Sequence, residues 1–120
     1  MDLQLKDKVI IVTGGAKGIG EGIVKALAKE GAFPVIIGRS QEDNLATVEA
    51  IKAEGGKAAQ VVAELSVAQL CEFAVKEVIR QFGRIDGLVN NAGVNDGVGL
   101  ENGNYQNFVA SLHKNVIHYY

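Results

Sequence analysis

The sequence predicts an α/β protein, a doubly wound parallel sheet in three αβα layers, with residues 1–120 as one domain that ends after a fourth helix. Three observations predict it. Val9 to Val12 is an unbroken run of branched apolar residues, as in a strand buried on both faces. Glycines at 14, 15, 18, 20 and 22 follow at once, which suits a tight turn opening into a helix. The rest of the chain repeats the alternation of short apolar run and helical period, β-α-β-α-β-α-β-α, with short connections.

The elements follow in order. The first strand, Val9 to Val12, comes after Asp7-Lys8. The first helix starts near Ile19, carries Ile23 and Leu27 on the same face, and stops at Gly31. Val35 to Ile37 is the second strand, entered through Pro34. Ser40, with Asp43 three residues on, has the spacing of a helix cap. Leu45, Val48 and Ile51 give the second helix its stripe, and Gly55-Gly56 end it. Lys57 to Val62 is a weaker third strand. Ser66 and Gln69 repeat the capping spacing ahead of a helix lined by Leu70, Ala74, Val78 and Phe82 and closed by Gly83. Ile85 to Asn90 is the fourth strand, and Asn91 to Gly103 a glycine- and asparagine-rich loop. Asn104 can cap a fourth helix bearing Phe108, Leu112 and Val116. Strand order 3-2-1-4 puts the topological switch point, where ligands bind, between strands 1 and 4.

Composition narrows the function. Hydrophobic residues are 48% and charged residues 22%, enough for a packed core. A net charge of -2 with no basic block speaks against nucleic acid as a partner. No apolar run reaches the roughly 18 residues that a membrane span needs, and MDLQLKDK is not a signal peptide. The cytoplasm is the expected compartment. Cys71, alone, fits a reducing compartment and reads as an inert, buried thiol. His113 and His118 lie five apart, on different helical faces, and no metal site is expected.

The chemistry lies in two stretches. A buried strand, a glycine turn and a helix N-terminus together make a pyrophosphate site, because unpaired N–H groups and the helix dipole meet the anion there. After the second strand comes Gly38-Arg39-Ser40, where an acidic residue would bind the ribose hydroxyl of NAD. Arg39 can instead pair with a 2′-phosphate through its forked donors, and Lys17 can add a second positive charge. The expected cofactor is NADP(H) in preference to NAD(H). Alternatively, Arg39 is a solvated loop charge or stacks on adenine, and Lys17 only decorates the turn.

Thr13-Gly14-Gly15-Ala16-Lys17-Gly18-Ile19-Gly20 resembles the TGxxxGxG turn of the short-chain dehydrogenase/reductase family. Asn90-Asn91-Ala92-Gly93 resembles its NNAG motif, and Asn115, in HKNVIHYY, falls where the family keeps an Asn in helix 4. The phrase GRIDGLVNNAGVNDGVGLE resembles the branch of bacterial sugar dehydrogenases that includes L-fucose dehydrogenase. The resemblance implies a Rossmann-like fold. It implies that Gly14, Gly18 and Gly20 approach the pyrophosphate, with Thr13 and Ile19 in the same site. It places Asn90, Ala92 and Gly93 near the adenosine ribose, and Glu64-Leu65 beside the adenine, where the family usually has Asp. Asn115 would hold a water in a proton relay, or is a plain surface Asn. Asn95 and Asp96 would offer hydroxyl partners to a sugar, or form an ordinary turn.

The family's catalytic Ser and Tyr-xxx-Lys lie downstream of that Asn. In these 120 residues no Tyr has a Lys four positions later; position 109 is Val, and Tyr119-Tyr120 read as packing aromatics. The expectation is the dinucleotide-binding half of an oxidoreductase acting on a small alcohol or carbonyl substrate, inactive alone and a homo-oligomer at full length. The alternatives are a binding module without turnover and an assembly fragment. Leu88 and Val89 should then lie on an open sheet edge.

Overall fold

The structure, a computed structural model, describes residues 2–93 and 103–115, without the side chains of Lys114 and Asn115. Its elements run β1 (Val9–Thr13), α1 (Gly18–Lys29), β2 (Phe33–Gly38), α2 (Gln41–Ala53), β3 (Ala59–Val62), α3 (Ala68–Phe82), β4 (Gly87–Val89) and α4 (Tyr105–Asn115). The sheet is parallel in the order β3-β2-β1-β4, as the alternation predicts. Successive strand residues point to opposite faces, and both faces are covered. Val9, Ile11, Val35, Ile37 and Val61 pack on Ala74 and Val78 of α3. Ile10, Val12 and Ile36 pack on Val24 of α1 and on Val48 and Ile51 of α2. Val12, Val24, Ile36 and Val78 are fully buried, each stabilising the fold by about 1.5–3 kcal/mol.

Pro34 lies inside β2, a central strand, where a missing N–H normally breaks a ladder. The N–H of Phe33 donates to the Lys8 carbonyl at 2.8 Å, so the next residue turns its nitrogen to the other side. The β3 ladder there begins only at Ala59, opposite Val35, and asks nothing of Pro34.

Several expected faces are rotated. Ile19 is 80% exposed, because α1 turns Gly20 and Val24 to the sheet, with Ile23 and Leu27 partly buried beside them. On α2, Leu45 is exposed and the buried stripe is Asn44, Thr47, Val48 and Ile51. Leu70 is exposed on α3, whose buried residues are Ala74 and Val78. Ser40 does cap α2, its Oγ accepting from the Asp43 amide at 3.3 Å. Ser66 does not cap α3: Val67 holds that position, and the Ser66 hydroxyl donates to Glu64 at 3.1 Å. Asn104 caps α4, accepting from the Asn107 amide at 2.9 Å. β4 is shorter than expected and leaves Ile85, Asp86 and Asn90 outside. Its Leu88 is 57% exposed, as expected for an open edge, whereas Val89 packs partly against the α1–α2 side. Phe108 of α4 is also exposed, and Val116 lies outside the described residues. Cys71 is only half-buried; its thiol donates to the Leu65 carbonyl at 3.2 Å, and burial pushes its pKa up. No helix among the described residues is long and apolar enough to cross a membrane.

Asp86 ties the starts of β1 and β4 together. Its carboxylate accepts from the Val9 amide at 2.8 Å and from Arg84 at 2.7 Å. Arg84, then the Val9 amide, hold its pKa below the ordinary 3.8. The stabilisation from Asp86 is therefore complete above that ordinary value and fades as pH falls through the lower folded-state value. In an acid titration followed by circular dichroism, Asp86→Asn should lose less stability between neutral and strongly acid pH than wild type. An unchanged acid slope would contradict this.

Candidate functional site

The C-terminal ends of all four strands open on one cleft of about 460 Å³. Its walls are the β1–α1 turn, the end of β2 with the start of α2, the end of β3, and Asn91–Gly93 after β4. Such a cleft, beyond the carboxyl ends of a parallel sheet, is where doubly wound proteins bind ligands.

The β1–α1 turn is held from three sides. Thr13, buried at the end of β1, accepts the amides of Asn91 and Ala92, both at 3.0 Å, and donates to the Val89 carbonyl at 3.3 Å. The Asn91 side chain donates to the Gly14 carbonyl at 3.2 Å. The Thr47 hydroxyl of α2 donates to the Ala16 carbonyl at 3.2 Å. Gly14 takes φ +66°, a left-handed conformation in which a side chain is strained, and a Cβ there would stand 3.0 Å from Ala92 Cα. A Cβ on Gly20 would fall against the Gly14 carbonyl oxygen and Asn91 Nδ2, closer than real Cβ atoms come. Gly20 therefore lets α1 close on the turn and on the residues after β4.

That turn delivers the N-terminus of α1 to the cleft. Lys17 is its N-cap and makes no side-chain cap, unlike Ser40 on α2. Among the described residues, the first-turn amides of α1 have no side-chain acceptor, and the positive end of the helix dipole faces the same way. A glycine-rich turn leading into a helix whose N-cap supplies no side-chain acceptor fits the diphosphate of a dinucleotide.

The charges at the rim are arranged in pairs. Lys17 Nζ lies 3.0 Å from Asp43, and Arg39 lies 3.7 Å from Glu64. Lys17, then the Ser40 hydroxyl, lower the pKa of Asp43. Glu64 also accepts from the amide and hydroxyl of Ser66, at 3.3 and 3.1 Å. The carboxylate expected beside an adenine is thus already engaged within the chain.

The cleft brings together Gly14, Lys17, Ile19, Arg39, Glu64, Leu65, Ala92 and Gly93. Thr13, Gly18, Gly20 and Asn90 are not in its lining. Thr13 and Gly20 build the frame behind it. Asn115 is the last residue of α4, and its side chain, like Asn95 and Asp96, lies outside the described residues. Among the described residues no cluster of three or more His, Cys, Asp or Glu could hold a metal ion.

Sequence reasoning missed Asn44, Thr47 and Asn91 as individual supports. Asn44 is 1% exposed; its amide donates to the Gly38 carbonyl at 3.1 Å and to Gln60 at 3.2 Å, fastening the end of β2 just before Arg39. A signal was available: Asn44, Val48 and Ile51 share the i, i+4, i+7 phase of one helix face.

A family model described as short chain dehydrogenase matches residues 8–119. An uncharacterized oxidoreductase of Methylorubrum extorquens is 48% identical over 99 residues, 82% of this chain and 40% of that protein. The crystal structure of Cj0485 dehydrogenase superposes with a TM-score of 0.85 at 41% identity, over 100% of this chain and 45% of that one. L-Sorbose reductase from Gluconobacter frateurii, solved with NADPH and L-sorbose, superposes with a TM-score of 0.90 at 27% identity, over 99% of this chain and 46% of that one. The chain thus spans less than half the length of these relatives.

Proposed function

The chain belongs to the short-chain dehydrogenase family, and from that premise we propose that residues 1–120 are the dinucleotide-binding domain of an NADP(H)-preferring oxidoreductase. The N-terminus of α1, with no side-chain cap from Lys17 and facing the cleft behind a turn in which Gly14 leaves no room for a Cβ, carries this reading. The bound nicotinamide supplies or accepts the hydride that interconverts a secondary alcohol and a carbonyl. Gly14 and the first turn of α1 hold the diphosphate, and Gly18 and Gly20 let the backbone come close enough to do so. Arg39 takes the 2′-phosphate. Its pair with Glu64 is long and solvent-exposed, so exchanging it for a dianion costs about 0–1 kcal/mol. Ala92 and Gly93 flank the ribose, and Leu65 the adenine.

A sugar is the proposed substrate class, supported by the resemblance of residues 83–101 to sugar dehydrogenases and by the likeness to the sorbose reductase. Asn95 and Asp96 are the proposed hydroxyl partners, and Asn115 the proposed holder of a relay water. A proton donor or acceptor at the substrate oxygen is also required. No Tyr within these 120 residues carries a Lys four positions on, so we expect them to bind cofactor without turnover. A cytoplasmic setting and self-association through α4 complete the proposal; the exposed Tyr105 and Phe108 support the second.

Calorimetric titration with NADPH and NADH tests the reading. Wild type should bind NADPH more tightly. Arg39→Ala should weaken NADPH roughly tenfold, the worth of one charge-assisted phosphate contact, and leave NADH nearly unchanged. Tighter NADH binding, or an Arg39→Ala variant that binds NADPH as wild type does, would overturn the preference.

A further inference from the structure

Both cations at the rim face a carboxylate, but the two pairs differ. Arg39 and Glu64 stand 3.7 Å apart, and Glu64 is shared with Ser66. Lys17 and Asp43 meet at 3.0 Å, a hydrogen-bond distance. The backbone of Asp43 is also anchored. It sits in the first turn of α2, its amide bound by the Ser40 cap, beside buried Asn44. Lys17, Arg39, Ser40 and Asp43 line the same end of the cleft. The charge that Lys17 offers there is therefore paired within the chain, although its side chain is exposed.

We propose that Asp43 is a specificity-determining residue that keeps the Lys17 ammonium paired and so limits the preference for a phosphorylated cofactor. The inference rests on the dinucleotide reading above and deepens it. A 2′-hydroxyl is neutral and is little affected by whether Lys17 is paired. A 2′-phosphate carries close to two negative charges and gains from a free ammonium nearby. Freeing Lys17 should thus separate two ligands that differ only in that group.

Adenosine 2′,5′-bisphosphate and 5′-AMP are such a pair and can be titrated calorimetrically into the 120-residue chain. In Asp43→Asn the bisphosphate should bind roughly five- to tenfold more tightly, and 5′-AMP within about twofold of wild type. Raising the salt should erode the gain. In a Lys17→Gln background the same Asp43→Asn change should give no selective gain, and Asp43→Glu should keep the wild-type ratio. Circular dichroism should show α2 intact in every variant. Equal tightening of both ligands, or a selective gain that survives Lys17→Gln, would overturn the role of Asp43 while leaving the dinucleotide reading in place. If wild type bound neither ligand, both would fall.

Discussion

Replacing Gly20 by alanine is expected to lower the unfolding free energy by about 2–4 kcal/mol and to abolish binding of a dinucleotide. The added Cβ meets the Gly14 carbonyl oxygen and Asn91 Nδ2. The carbonyl is backbone, fastened between β1 and the turn, and cannot turn aside. The Asn91 side chain can, but only by giving up its bond to that same carbonyl. Either α1 moves off the sheet, which opens the packing of Val24, or the turn deforms. Both misplace the first-turn amides of α1. Gly22, two residues along the same helix, is the control. A Cβ there has nothing within 4 Å, so Gly22→Ala should stabilise by about 0.5–1 kcal/mol through helix propensity. Urea denaturation of the two variants, with NADPH titration, checks the contrast. Similar effects at the two sites would show that α1 does not approach the turn as closely as described.

The second large effect is expected at Thr13. Valine has nearly the same shape but cannot accept a hydrogen bond. Thr13→Val leaves the Ala92 amide without its acceptor and removes one of two acceptors of the Asn91 amide, which also reaches the Val89 carbonyl at 3.1 Å. The cost should be about 2–3 kcal/mol, with weaker NADPH binding because Ala92 and Gly93 form one wall of the cleft. Thr13→Ser keeps the oxygen and should stay within about 1 kcal/mol of wild type. Thermal unfolding of the three proteins decides the point. If the serine variant were as unstable as the valine one, the methyl group rather than the hydroxyl would be what matters.

The sequence by itself determined the sheet, its strand order, the glycine turn and the caps at Ser40 and Asn104. These follow from local rules: apolar runs for buried strands, glycine where a turn excludes side chains, and an oxygen three residues ahead of an amide. It also singled out Gly14, Lys17, Ile19, Arg39, Glu64 and Leu65, which reach the cleft from the ends of β1, β2 and β3. Only the tertiary structure decided which face each helix turns inward. Ile19, Leu45 and Leu70 satisfy the helical period and still stand exposed, because the sheet selects the phase. Nor could composition show that buried Asn44 and Thr47 serve backbone carbonyls of β2 and of the turn. The pairing of Lys17 with Asp43 and of Arg39 with Glu64 is of the same kind. Each joins segments far apart in the chain, and a charge counts as free or neutralised only once folding has set its neighbour.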